Sequence, residues 1–297
     1  MTTNTLTTLK PQDDHRMYIF KHGASATLHY VILIAIGLVM LAPFILAMLG
    51  TFKTDAEITA FPPRWLPEVW HPENWVKVWN TDIGQGGTFP RWLFNTAFLS
   101  VVVALCQVIF GSMAAYAFAR LEFAGRSAIF NFMLATMMIP GAVTLIPAYV
   151  LITKLQLINT FWSLILPGLV GAGSIFTLTQ FFKSIPRDLE EAAIMDGATH
   201  LQIFKDVILP LARPAILTVL ILQFQGMWNA FMQPLLYLNS PDKYVLNVAL
   251  SIFQQQYKAQ WNLTLVGAMF NAIPILILFF IFSRYYIEGV AYTGIKG

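Results

Sequence analysis

The chain has 297 residues, 57% of them hydrophobic and 11% charged, with a formal net charge of +3. Soluble domains carry about 25% charged residues, so the composition excludes an ordinary soluble protein, and so small a net charge points to no nucleic-acid partner. The single cysteine, Cys106, excludes an intramolecular disulfide and a cysteine metal cluster, and it reads as a small packed hydrophobe.

Residues 1–27 are polar and mixed (Lys10, Asp13, Asp14, Arg16, Lys21), and the early Thr/Asn run predicts a disordered N-terminal tail. The apolar run that follows is too long for the core of a cleaved signal peptide. Six apolar segments then occur, at 28–50, 93–119, 128–152, 161–182, 214–238 and 263–283. Each is close to the roughly 20 residues that a spanning helix needs. The expected fold is all-α, a polytopic membrane body of six transmembrane helices over 28–297. On the second segment Gly111, Ala115 and Ala119 form a small-residue stripe suited to close helix packing. The third (Pro140, Pro147) and fourth (Pro167, Gly168, Gly171, Gly173) carry helix breakers, which membrane helices tolerate where neighbours satisfy the freed backbone groups.

Two loops stand out on one side. Loop 51–92 is rich in Pro and Trp, including Trp65, Trp70, Trp75 and Trp79, and any single Trp there reads first as an interfacial anchor. Loop 239–262 carries Tyr244, Gln254 to Gln256, Tyr257 and Trp261. With the N-terminus cytoplasmic, the inner segments hold eleven Lys and Arg and the outer ones seven, which favours that orientation.

Residues 186–214 are the informative stretch. They hold nine ionisable residues between apolar spans, and they are helix-forming. A charged, ordered element between spans has something to bind in water. Asp188 is expected to cap a first helix, with Glu191 three residues on, and Gly197 to end it. Thr199 and Gln202 form a second capping box. Leu201, Phe204, Ile208 and Leu211 follow at i, i+3, i+7 and i+10, one face of a second short helix that Pro210 and Pro214 limit.

The run Glu191-Ala192-Ala193, three residues, Gly197, nine residues, then Val207-Ile208-Leu209-Pro210 resembles the EAA loop of ATP-binding cassette importer permeases. Glu190 precedes the motif, Asp196 before the Gly matches its common form, and Val207 departs from it by standing in place of Ile. The resemblance implies a coupling helix seated in a groove of a separate ATPase subunit, with Leu201 and Phe204 buried there. Glu191 pairs with a donor of that partner or caps its own helix; the residues alone leave both open.

Two absences agree with an external energy source. The chain has no Gly-x-x-x-x-Gly-Lys-Ser/Thr phosphate loop. The six span interiors contain no Asp, Glu, Lys or Arg, the groups that mark ion-coupled carriers. The polar groups inside are amides. Gln225, Asn229 and Gln233 recur at i+4 on the fifth span, with Trp228 and Phe231 beside them. Amides and aromatic faces suit a neutral, hydroxyl-rich solute, and the same amides also serve to bond neighbouring helices. Asn95, Gln107, Asn131 and Asn271 read as packing groups.

Ile139-Pro140-Gly141, Leu145-Ile146-Pro147, Gly226-Met227-Trp228-Asn229 and the ending Tyr285-Tyr286-Ile287-Glu288-Gly289 are similar to carbohydrate importer permeases of the maltose type. That resemblance implies a sugar substrate, a second related permease, an ATPase dimer and an extracytoplasmic substrate-binding protein, with no cofactor and no catalytic residue. A glycerol-phosphate permease is the runner-up within the class. An ATP-independent carrier and a non-transporting scaffold are the rivals outside it. The five His residues are scattered without metal-ligand spacing.

Overall fold

A computed structural model describes the backbone of residues 13–256 and 260–294, and the side chains of 29–252 and 260–282. Of the expected disordered tail, residues 1–12 lie outside the described residues, as do Tyr257 and the side chains of the chain's ending, whereas 13–27 are the start of a helix. Among the described residues fifteen α-helices follow in order. The chain begins with α1 (Asp13–Gly50), α2 (Asp55–Thr59) and α3 (Glu73–Trp79). The bundle continues through α4 (Phe89–Arg120), α5 (Arg126–Thr136), α6 (Gly141–Lys154), α7 (Trp162–Gly168) and α8 (Ala172–Ser184). The charged stretch forms α9 (Asp188–Met195), α10 (His200–Gln202), a π-helical segment (Ile203–Ile208) and α11 (Leu209–Leu211). The chain closes with α12 (Arg213–Trp228), α13 (Met232–Tyr237), α14 (Leu246–Gln256) and α15 (Trp261–Gly294).

Four helices among the described residues are long and apolar enough to cross a bilayer, and six spans result if each of two bent pairs counts as one. The third expected span is one such pair. α5 and α6 meet at 101°. Pro140 has no N–H for a continuous helix, and its ring restricts Ile139 to extended backbone, so the helix stops and restarts at Gly141. In the second pair, α12 meets the short helices before it at 78°.

The fifth span differs from the expected 214–238. α12 ends at Trp228, and Asn229 (φ −88°, ψ 1°) closes it. A continuous helix would require an N–H at Pro234 to bond Ala230, and Pro has none. Restarting at Met232 places Pro234 in the first turn of α13, where no N–H is needed.

The core runs along α4, whose 32 residues span about 48 Å at 1.5 Å per residue. At one end, Ala115, Tyr116 and Ala119 pack with Leu178, Phe182 and Ile208. The small-residue stripe does what its spacing implies: the Cβ position at Gly111 lies 3.6 Å from Ser174 Cβ. At the other end, Phe89 and Trp92 pack with Val78, Leu246 and Val266.

The two long loops close over this second end. Asn95 Nδ2 donates to the Asp242 and Tyr244 carbonyls at 2.9 Å each, and Trp92 Nε1 donates to Pro241 O at 2.9 Å. Asn74 Nδ2 donates to Thr51 O and Lys53 O, and Trp261 N donates to Asp55 Oδ1 at 2.6 Å. Trp75 packs edge-on against Phe270 at 4.9 Å, so it is a packed residue rather than a free interfacial ring. Trp65 and Trp70 are exposed.

Candidate functional site

α9 begins one residue earlier than expected. Arg187 already has helical backbone (φ −68°, ψ −26°), so Asp188 is the first helical residue and its side chain caps nothing. The amides of Glu190 and Glu191 donate instead to Arg187 O. The acids of the first turn still meet the positive end of the helix dipole. Glu191 is exposed and does not cap its own helix, which removes one of its two expected roles.

The end of α9 follows the sequence reading. Gly197 has φ +84°, Gly197 N donates to Ile194 O, and Ala198 N donates to Ala193 O, both at 2.9 Å. These are the two bonds of a Schellman motif. Thr199 and Gln202 then form the expected capping box, with Thr199 N donating to Gln202 Oε1 at 2.8 Å.

The second short helix departs from the expected face. Its middle is a π-turn, with Leu209 N donating to Phe204 O. Pro210 offers no N–H to Asp206 O, and the widened turn accommodates that loss. The wider turn shifts the helical phase. Ile203 and Ile208 are buried, whereas Leu201 is 72% exposed and Leu211 is also exposed. Phe204 is half-buried and lies 5.2 Å from the Tyr116 ring, so its packing is largely within the chain. Ile203 and Ala212, which the simple 3.6 period leaves out, take the anchoring places.

What remains outward is a mixed surface. Leu189, Ile194, Met195 and Leu201 are exposed apolar groups beside Glu191 and Asp196. A hollow of about 310 Å³ between the two short helices is lined by Ala193, Asp196, Gly197, Gln202, Ile203 and Asp206 among others. Exposed apolar groups rimmed by charge mark an interaction site. Sequence reasoning missed the inward anchor: Arg120 Nε lies 2.6 Å from Glu190 Oε1. No helical spacing links these two residues.

The amide stripe is not one stripe, because the helix that carried it ends. Asn229 Nδ2 donates to Gln225 O at 3.0 Å. Gln225 borders an apolar hollow of about 160 Å³ with Ile221, Phe224 and Ile275. Gln233, on α13, borders a different cavity of about 170 Å³ with Ser163, Gly168, Gln223 and Gly226. Trp228 is buried, its Nε1 donates to Asn271 O at 3.1 Å, and it stacks on Phe224. It holds the helix end rather than offering a face to solute. Asn95 and Gln107 are packing groups as expected, and Asn131 is exposed.

The described residues contain no group of His, Cys, Asp and Glu able to hold a metal. Residues 107–290 match the family described as binding-protein-dependent transport system inner membrane component. The chain is 32% identical over 264 residues to the arabinooligosaccharides transport system permease protein AraQ of Bacillus subtilis, covering 88% of this chain and 92% of that one. It is 31% identical over 263 residues to the diacetylchitobiose uptake system permease protein NgcG of Streptomyces coelicolor, covering 87% and 85%. In fold it is similar to a chain of a bacterial ABC transporter involved in the import of alginate, with a TM-score of 0.74, 24% identity, and coverage of 94% of this chain and all of that one. The chain belongs to the family of binding-protein-dependent transport system inner membrane components, the membrane-embedded permeases of ATP-binding cassette importers.

Proposed function

We propose that this chain is one permease subunit of a sugar or oligosaccharide importer, driven by a separate ATPase dimer that docks on residues 186–214. The observation that carries the reading is the outward surface of that element. Leu201 and Met195 are exposed at 72% and 87% beside Glu191, at the end of α4 opposite the loops 51–92 and 239–262. Burying such a side chain contributes about 2 kcal/mol, enough that a few of them hold a partner. Docking there places both termini in the cytoplasm and leaves the two long loops to meet a substrate-binding protein.

The solute would pass beside α13. The Gln223, Gln233 and Ser163 cavity, at about 170 Å³, is smaller than the roughly 300–1,000 Å³ of ligand pockets. That size fits half of a path completed by a second, related permease. Neutral amides and a hydroxyl recognise hydroxyl-rich solutes. Among the described spans no cation faces this cavity, which favours a neutral sugar over glycerol phosphate. Names of relatives such as the arabinooligosaccharide and diacetylchitobiose permeases support the same class. Alternating access follows when closure of the ATPase dimer pulls on α9 and tilts α4, α8 and α12 against the partner.

The test is uptake of labelled arabino-, malto- and chito-oligosaccharides into vesicles holding the full assembly. ATP-dependent uptake of one of them, lost when the ATPase is omitted, supports the reading. Uptake that continues without the ATPase would favour a carrier.

A further inference from the structure

The docking element carries two adjacent acids, Glu190 and Glu191, and the fold uses them differently. Neighbours on a helix point about 100° apart. Glu191 is exposed. Glu190 turns inward, to a guanidinium whose side chain is only 4% exposed.

That guanidinium, Arg120, is the last residue of α4. Its Nε lies 2.6 Å from Glu190 Oε1. Its Nη2 donates to Phe182 O and Ile185 O, at 2.6 Å each. Phe182 is in the last turn of α8 and Ile185 closes that helix. Phe182 O also accepts from Ile185 N in the bond that closes the helix, Ile185 O lies at its cap, and a cation there meets the negative end of the dipole. One planar group therefore ties α4, α8 and α9 together. Among the described residues no other ion pair joins α9 to the bundle.

We propose that Arg120 is the positioning residue that transmits movement of the docking element to the bundle. A buried guanidinium cannot release one partner cheaply, because the charge left behind is unpaired. The three helix ends therefore move as one body when α9 is pulled. The apolar contacts of Ile203 and Ile208 hold the following segment in place, whereas α9 is joined to the core by Ala193 and by this charge pair. Lysine is a poor substitute, since a point charge on a flexible stem lacks the fork that serves two carbonyls and a carboxylate at once.

The inference rests on the reading of 186–214 as the ATPase-docking element. It is tested in vesicles holding the full assembly, by counting ATP hydrolysed per sugar taken up from the oligosaccharide panel. Glu190→Gln keeps the shape and removes the charge; Arg120→Lys keeps the charge and removes the fork. Both are expected to raise the ATP used per sugar by about tenfold, the loss of a typical coupling between sites. A merely structural role would lower hydrolysis and uptake together and leave their ratio unchanged, and that result overturns the proposal.

A second measurement covers variants that fail to assemble. Spin labels on Asp188→Cys and Gln180→Cys, in a chain with Arg120 and Glu190 intact and a Cys106→Ala change, report the α9 to α8 distance with and without ATP and vanadate. A distance that stays fixed through the cycle supports the proposal; independent movement of α9 contradicts it. If the native chain takes up none of the panel and binds no ATPase, the reading of the docking element fails, and this inference falls with it. Native coupling with an unchanged ratio in both variants removes the inference alone.

Discussion

Ser174 Oγ donates to Gln107 Oε1 at 2.7 Å in the buried seam between α4 and α8, and Gly171 lies against the same amide, where an added Cβ would come within 2.8 Å of Gln107 Oε1. The bond and the missing side chain are one device, since the amide has room to reach Ser174 only over a glycine. Gln107→Leu should leave a buried hydroxyl unpaired and cost about 1–3 kcal/mol. Gly171→Ala should displace the amide and cost a similar amount. Thermal unfolding of the purified chain in detergent measures both, and unchanged Tm values would contradict the argument.

Gly197 tests backbone conformation without sterics. Nothing lies within 4 Å of its Cβ position, yet its φ is +84°. Any loss on substitution therefore comes from backbone strain, about 1–2 kcal/mol for an ordinary residue in the left-handed region. Gly197→Val should impair ATP-driven uptake more than Gly197→Asn, because Asn tolerates that region. Equal activity of the two, or full uptake by the Val variant, would show that the turn does not matter to coupling.

The solute path makes a prediction that separates two kinds of residue. Gln223→Leu and Gln233→Leu should each lower uptake about tenfold, the value of one hydrogen bond of about 1.4 kcal/mol, while the assembly still forms. Trp228→Leu should instead lower stability by about 3 kcal/mol, through the lost ring volume and the lost hydrogen bond to the Asn271 carbonyl. Full transport by the Gln223 and Gln233 variants would remove both from the path.

Loop 51–92 contains a pH-dependent cap. The Glu57 carboxylate accepts from Thr54 N at 2.8 Å, Thr54 Oγ1 at 3.1 Å and Glu68 N at 2.8 Å. The backbone bond from Thr54 is the main cause that holds its pKa below the ordinary glutamate value. A depressed carboxylate contributes stability above its unfolded pKa and loses it as pH falls through the folded one. Pepsin should therefore cut the 57–70 loop faster only below the ordinary glutamate range. Glu57→Gln should abolish that dependence; an identical pH profile in the variant would refute it.

Much of this architecture was legible in the residues. The spans, the Gly197 turn and the Thr199–Gln202 box rest on local chemistry, and local chemistry is what a sequence displays. The breaks were harder to place. Pro140 announced a break, but not that it bends the chain by 101°. Pro234 sat at the end of an apolar run that looked continuous, and the restart at Met232 split Gln225 from Gln233. The π-turn at Ile203–Ile208 moved Leu201 outward and Ile203 inward, a phase shift that no 3.6-residue pattern contains. Arg120 counted only as one more cytoplasmic cation, because its partner lies 70 residues away in sequence.

The most direct test of the central claim is co-purification from native membranes of the unaltered chain and a Gly197→Val variant, followed by ATPase assay with the oligosaccharide panel. The account predicts that an ATPase and a second permease come with the unaltered chain, that hydrolysis responds to a sugar in the presence of its binding protein, and that both weaken in the variant. A chain that purifies alone, with no ATPase bound, would contradict it.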